Sequence, residues 1–215
     1  MRDIKKEYKK YVTTYFLLYI LICLIIITKN DINIVKIRNL FENDFMVKSL
    51  ITVVAAPLIS IISLMIFNIV PSHIKEILTH WKLKNILPSF RWKDLCVNDN
   101  RVDIIELEKK YGNDLSEAEQ NRIWYRAYQK HQNDDRILNS QRDYLFARDF
   151  CISNVILVPI IFTMYVLGKI YYDISINFIL YNFIVIVMLY LFSMIVTRNN
   201  AKRFVCNVLA LDSVS

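Results

Sequence analysis

Glycine is nearly absent from this chain, with two residues in 215. That scarcity excludes a glycine-lined phosphate cradle and a β-barrel built on tight turns. Both need residues that reach positive φ without a Cβ penalty. A loop-rich fold is disfavoured for the same reason, so long helices are the expectation. Cysteine is also sparse. Cys23, Cys96, Cys151 and Cys206 are scattered, and no Cys/His/carboxylate group has the spacing of a metal site. They read as structural thiols, with a reducing cytoplasm around the lone Cys96. No metal and no cofactor are expected.

The second shortage is of charge within four apolar runs, at about residues 11–27, 50–70, 150–170 and 174–196. Their cores hold no Asp, Glu, Lys, Arg or His. Ion-coupled transporters need such groups at membrane depth, and their discontinuous helices need paired Gly/Pro breaks. Neither is present, which argues against secondary transport. What is there is length. Each run approaches or reaches the roughly 20 apolar residues that cross a hydrocarbon core of about 30 Å. Hydrophobic residues make up 55% of the chain, and the mean hydropathy is +0.30. The expected fold is an all-α membrane protein with four transmembrane helices in a 2+2 arrangement. Residues 1–70 hold the N-terminal tail and the first two spans. Residues 71–149 form a cytosolic helical insert, 150–197 the last two spans and 198–215 a cytosolic tail. The first run lacks a small-residue cleavage site, since Ile25, Ile26 and Ile27 stand where a signal peptide needs Ala-like residues. It is read as a retained span.

Charge sets the expected orientation. Arg2, Lys5, Lys6, Lys9 and Lys10 precede the first run, and Arg198, Lys202 and Arg203 follow the last. Positive residues favour the cytoplasm. Both termini and the insert are therefore expected on the cytoplasmic side of the membrane. The loop after the first run still carries Lys29, Lys36, Arg38 and Lys48, which runs against that rule.

Ser49, Thr52, Ala56, Ser60 and Ser63 recur every three or four residues along the second run, so they share one helical stripe. Small residues on a stripe let helices approach closely in lipid. The same stripe of hydroxyls can line a pore in an oligomer, and these five are the pore-lining candidates. Pro57 and Pro71 can each kink the helix. Asn68, Asn154, Asn177 and Asn182 are expected to hydrogen-bond between helices or to line a pore.

The insert reads as helical. The second span is expected to continue to about Lys84, with Pro88 stopping it. A short helix is expected over 103–111, ending at Gly112. Ser116 and Glu119 form a capping-box pattern that should start a helix running to about Gln132. Another helix, from Asp134 or Asp135, should run unbroken into the third span. Arg91, Arg101, Arg122 and Arg126 are interleaved with Trp92, Trp124, Tyr125 and Tyr128. Arg can fork onto a phosphate and an aromatic ring can stack on a base. The alternative is that the arginines pair with carboxylates and the tryptophans pack a core. The insert, with 14 Lys/Arg against 13 Asp/Glu over 72–149, is too nearly neutral for large duplex DNA. The ligand-binding candidates are Arg91, Arg101, Arg122, Trp124 and Arg126. Arg126 and His131 also match R-x4-H, the signature of HEPN ribonucleases. No other catalytic signature is present, and a non-enzymatic protein is the expectation.

Four ordered elements carry a resemblance. They are Leu87-Pro88-x-x-Arg91, Asp99-x-Arg101-x-Asp103, Glu119-Gln120-Asn121-Arg122-x-Trp124-Tyr125 and Arg148-Asp149. They resemble a pattern in bacterial four-span proteins, and the general plan is similar to membrane effectors of anti-phage defence such as the channel-forming Hailong-type effectors. The likeness of motifs covers the insert; the spans match in layout only. The resemblance implies a homo-oligomeric channel held shut until a nucleotide-derived signal, a small nucleotide or oligonucleotide, binds the cytosolic part. Opening would depolarise the infected cell, an abortive infection. It also implies a nucleotidyltransferase partner, and it makes Arg101 and Arg122 the leading ligand contacts, with Asp99 and Asp103 holding them. The alternatives are a membrane-anchored HEPN-like ribonuclease and a non-catalytic scaffold for a soluble partner.

Overall fold

The structure, a computed structural model, describes residues 4–28, 69–172 and 175–214. Among them every regular element is helical. The elements are α1 (Ile4–Thr28), α2 (Ser72–His80), a 3₁₀ turn (Pro88–Arg91), α3 (Trp92–Cys96), α4 (Ile104–Tyr111), α5 (Glu117–His131), α6 (Asp135–Tyr172) and α7 (Ile176–Ser213). The stripe of Ser49, Thr52, Ala56, Ser60 and Ser63 lies outside the described residues.

Two of these helices, α6 and α7, are long and apolar enough to cross a membrane. Each has 38 residues, about 57 Å at 1.5 Å per residue. That exceeds a hydrocarbon core of about 30 Å. α6 does run unbroken from Asp135 into the third apolar run, as its pattern implies. It continues through Pro159, and Thr163 Oγ1 donates to the Pro159 carbonyl at 2.9 Å.

Local chemistry accounts for several helix ends. Asp103 caps α4 by accepting from the Glu106 amide at 3.0 Å, so it is a helix cap and not a holder of Arg101. Gly112 follows at φ +94°, a conformation that suits glycine. Ser116 caps α5 with both halves of the capping box made. Replacing Ser116 with alanine is expected to cost about 1 kcal/mol, the usual loss at an N-cap. Thermal unfolding of the detergent-purified protein reads it, and an unchanged midpoint would remove the cap from the account. α2 ends earlier than its pattern suggests. Trp81 adopts φ +54° and its amide donates to the Ile77 carbonyl at 2.7 Å. The helix therefore closes at His80, four residues short of Lys84. Pro88 opens the 3₁₀ turn instead of ending a helix.

The chain divides into two compact units. One holds Ser72–Ile152 and Leu191–Ser215 together with the chain up to Tyr8. Its apolar core gathers Trp92, Cys96, Leu107, Ile123, Trp124 and Ile137 around Ala201, Phe204, Val205, Cys206, Val208 and Leu209 of α7. The residues after 197 are thus not a loose tail but a continuation of α7 with one face in the core. Cys96 is not a lone thiol: it is disulfide-bonded to Cys206, across 110 residues of sequence.

The other unit holds Lys9–Pro71 and Ser153–Tyr190. Phe16 and Cys23 pack on Leu157, Ile161, Phe178 and Ile186. Two asparagines join its helices. Asn154 Oδ1 accepts from the Tyr15 hydroxyl at 2.6 Å, and Asn182 Oδ1 from the Tyr19 hydroxyl at 3.0 Å. A polar side chain in an apolar bundle needs such a partner.

Candidate functional site

The most connected polar group of the first unit is a buried ionic network on α2, α6 and α7. Lys75, Glu76, Thr79 and His80 recur at spacings that place them on one side of α2. Tyr144, Arg148 and Asp149 do the same on α6. Arg148 Nη1 donates to Glu76 Oε1 at 2.7 Å, and its Nη2 reaches Asp149 Oδ1 at 3.3 Å. Lys75 Nζ donates to the same Asp149 oxygen at 3.4 Å. The Tyr8 hydroxyl donates to Asp149 Oδ2 at 3.1 Å, and the Tyr144 hydroxyl donates to Glu76 Oε2. From α7, Arg198 Nε donates to the Thr79 carbonyl at 3.1 Å. Each carboxylate therefore holds a cation and a phenol, the condition under which buried charge is tolerated.

His80 stands at the edge of this network. Its Nε2 is 3.6 Å from Glu76 Oε2. Burial holds its pKa below the ordinary 6.5; Glu76 opposes this and Arg198, Arg91 and Arg148 reinforce it. The folded protein thus prefers neutral His80, and the unfolded chain binds the proton more readily. Stability from this group is complete above about pH 6.5 and drains away as the pH falls below it. Lowering the pH through 6 is expected to lower the unfolding midpoint, with a shallower slope in His80→Gln. Equal slopes in the two proteins would place the acid sensitivity elsewhere.

A second cluster centres on Asp212, whose side chain is only 2% exposed. The Tyr111 hydroxyl donates to it at 2.8 Å, and Lys110 Nζ lies 3.3 Å away. Lys130 and His131 stand at 3.9 and 3.8 Å. Asp212 therefore ties the end of α7 to α4 and α5.

The five ligand candidates do not converge on one point. Arg101 is bound to Asp99 through Nε at 2.9 Å and Nη2 at 2.6 Å, and Nη1 donates to Asn207 at 2.8 Å. That pairing holds the Asp99 pKa below its ordinary value. Trp124 is in the core, stacked on Tyr128 at 5.6 Å and edge-on to Phe204 at 5.4 Å. Its ring packs against protein, as in the alternative in which the tryptophans pack a core. Arg122 and Arg126 are exposed, one turn apart on α5. Arg91 is half-buried, and it acts on His80. Of the polar run 119–122, Glu119 completes the α5 cap. Gln120 accepts from the Trp92 indole through its carbonyl at 3.0 Å, and Asn121 accepts from Ser89 at 2.7 Å. Gln120 thus joins α5 to α3, and Asn121 joins it to the Pro88 turn. Arg126 and His131 are five residues apart, about 140° around a helix at about 100° per residue. His131 turns to Asp212.

Chemically, the first cluster can hold or exclude charge at a helix junction. Among the described residues no group of three or more His, Cys, Asp or Glu could hold a metal. The fold and site define an all-helical protein with two helices capable of crossing a bilayer. No protein-family model matches the chain, and searches of curated proteins and of solved structures find no match.

Proposed function

We propose that this protein is a homo-oligomeric membrane channel or membrane-disrupting effector, gated by a nucleotide-derived ligand, that acts in anti-phage defence. In this reading it crosses the inner membrane four times with both termini and the insert in the cytoplasm. The observation that supports it is the uncovered apolar surface of α6 and α7. Phe162, Ile170, Phe183, Met188 and Phe192 are all more than half exposed, Phe192 at 69%. Apolar area on that scale needs lipid or further copies of the chain to cover it. α6 and α7 each contribute to both compact units without a break. A ligand that favours one arrangement of the charged unit can therefore act on the same helices that meet lipid, provided it binds the two states differently. Exposed Arg122 and Arg126 are the surface cations for such a ligand, which a nucleotidyltransferase would supply.

Dye-loaded liposomes carrying the purified protein test this reading, with a panel of cyclic di- and trinucleotides as probes. Release of dye on addition of one of them is the expected result, with lower release in Ser60→Leu or Ser63→Leu. Sealed vesicles under every probe, together with RNA cleavage lost in His131→Ala, would replace the channel with the membrane-anchored ribonuclease.

A further inference from the structure

Two guanidiniums near the ionic network, those of Arg91 and Arg198, hold no carboxylate among the described residues. Arg148 is closed by Glu76 and Asp149. Arg198 instead gives its Nε to the Thr79 carbonyl and lies over the Trp81 ring at 5.7 Å. Arg91 leaves its Nε buried with no hydrogen-bond partner. His80 Nε2 is likewise buried and without a hydrogen bond, in a side chain only 7% exposed. Arg91 and Arg198 both act on His80 through space. Buried donors in native proteins find partners, so an orphaned guanidinium nitrogen points to an acceptor that comes from outside the chain. The acceptor that suits a planar fork is an oxyanion, above all a phosphate.

The place of these residues says which phosphate. α2 begins directly after Pro71, at the end of the second apolar run. Arg198 follows the end of the fourth run by two residues, and Arg148 precedes the third by two. Three apolar runs therefore meet polar sequence at this one cluster. Trp81 and Leu83 beside it are exposed at 61% and 79%. An exposed Trp next to basic side chains at the end of a span is the composition of the headgroup layer. A cavity of about 400 Å³ lies between α2 and the chain leading to Arg91, bounded by Ser72, His73, Glu76, Asn85, Leu87 and Phe90. Glu76 at its wall is neutralised by Arg148.

We propose that Arg91, Arg198 and His80 form a binding site for the phosphate of an anionic phospholipid at the bilayer surface. The site rests on the membrane reading of the apolar runs, and it stands whether or not the protein conducts ions. Lipid held there would join α2 to α7 and strengthen the charged unit.

Full-length protein in a neutral detergent is titrated with phosphatidylglycerol, phosphatidylcholine, ATP or inorganic phosphate. Thermal unfolding and native mass spectrometry read the result. Phosphatidylglycerol is expected to raise the midpoint and to remain bound, while the other three do not. Arg91→Gln is expected to keep the lipid-free midpoint, because it removes a donor that has no partner, and to lose the lipid-induced rise. Retention should fall roughly fivefold per arginine, the effect of one basic residue near an anionic leaflet. Arg91→Lys should recover part of it, and Arg122→Gln/Arg126→Gln should change nothing. Equal response to phosphatidylcholine, or an undiminished rise in Arg91→Gln, overturns the proposal. The same rise with ATP or phosphate overturns the lipid assignment in favour of a soluble anion. Carbonate extraction of cell membranes is run in parallel: release of the protein there sinks the membrane reading itself, a failure distinct from loss of lipid preference.

Discussion

Arg148→Met is expected to lower the stability of the protein by about 3–5 kcal/mol, the range found when one partner of a buried ion pair is removed. The size follows from what the substitution leaves behind. Glu76 Oε1 loses its 2.7 Å contact, and Asp149 keeps only Lys75 and Tyr8. Both carboxylates stay in a buried setting, with Glu76 at 12% and Asp149 at 7% side-chain exposure. An unpaired buried charge is the costly state, more so than a pair replaced by apolar groups. Glu76→Leu/Arg148→Met is therefore expected to be less damaging than the sum of the single changes, since the two residues touch. Unfolding midpoints for the four proteins of this cycle measure the coupling. A single variant within about 1 kcal/mol of the parent, the scale of an exposed pair, would show that the network is screened by water.

Opening the Cys96–Cys206 bridge should have an effect of comparable size. The two cysteines are 110 residues apart. In the chain-entropy account, freeing a loop of about that length costs about 4–5 kcal/mol. Cys96→Ser/Cys206→Ser should show this loss, and so should the parent protein in reductant. The bridge also bears on topology. Disulfides persist on oxidising sides of a membrane, whereas the basic N-terminus argues for the cytoplasm. Alkylation in freshly lysed cells separates the two. With the bridge intact, two cysteines, Cys23 and Cys151, react in the denatured protein, and two more react after reduction. Four reactive thiols without reductant would mean that the cell keeps the pair reduced and that the unit holds on its core alone.

The helices were legible where local chemistry sets them. Ser116 and Glu119 announce α5 because a capping box acts within three residues. Asp135 onward reads as one helix because nothing before Pro159 breaks its pattern. The end of α2 was not legible, since Trp81 at positive φ obeys no propensity rule for a bulky residue. The last stretch of α7 carried a signal that charge obscured. Ala201, Phe204, Val205, Val208 and Leu209 follow a helical period, although Arg198, Lys202 and Arg203 make the segment look like a solvated tail. Its periodicity was the better guide, because one buried stripe suffices to anchor a helix.

The candidate site was less legible. Arg148-Asp149 enters the sequence reading only as one element of the resemblance, and its partners Lys75 and Glu76 lie more than 70 residues away. The pairing of Arg101 with Asp99 is what the resemblance implies, and it spans only two residues. The setting of Trp124 was not legible: an aromatic among arginines has the same letters whether it faces a base or Phe204.

Local letters, then, dictate an all-helical chain, the apolar length of α6 and α7, and the caps at Asp103 and Ser116, because each depends on neighbours within about one turn. Long-range packing alone selects which charges become buried partners. It brings Cys96 to Cys206, Asp212 to Tyr111, and Glu76 to Arg148. Desolvation acts on groups that meet in space, and no spacing along the backbone encodes that meeting.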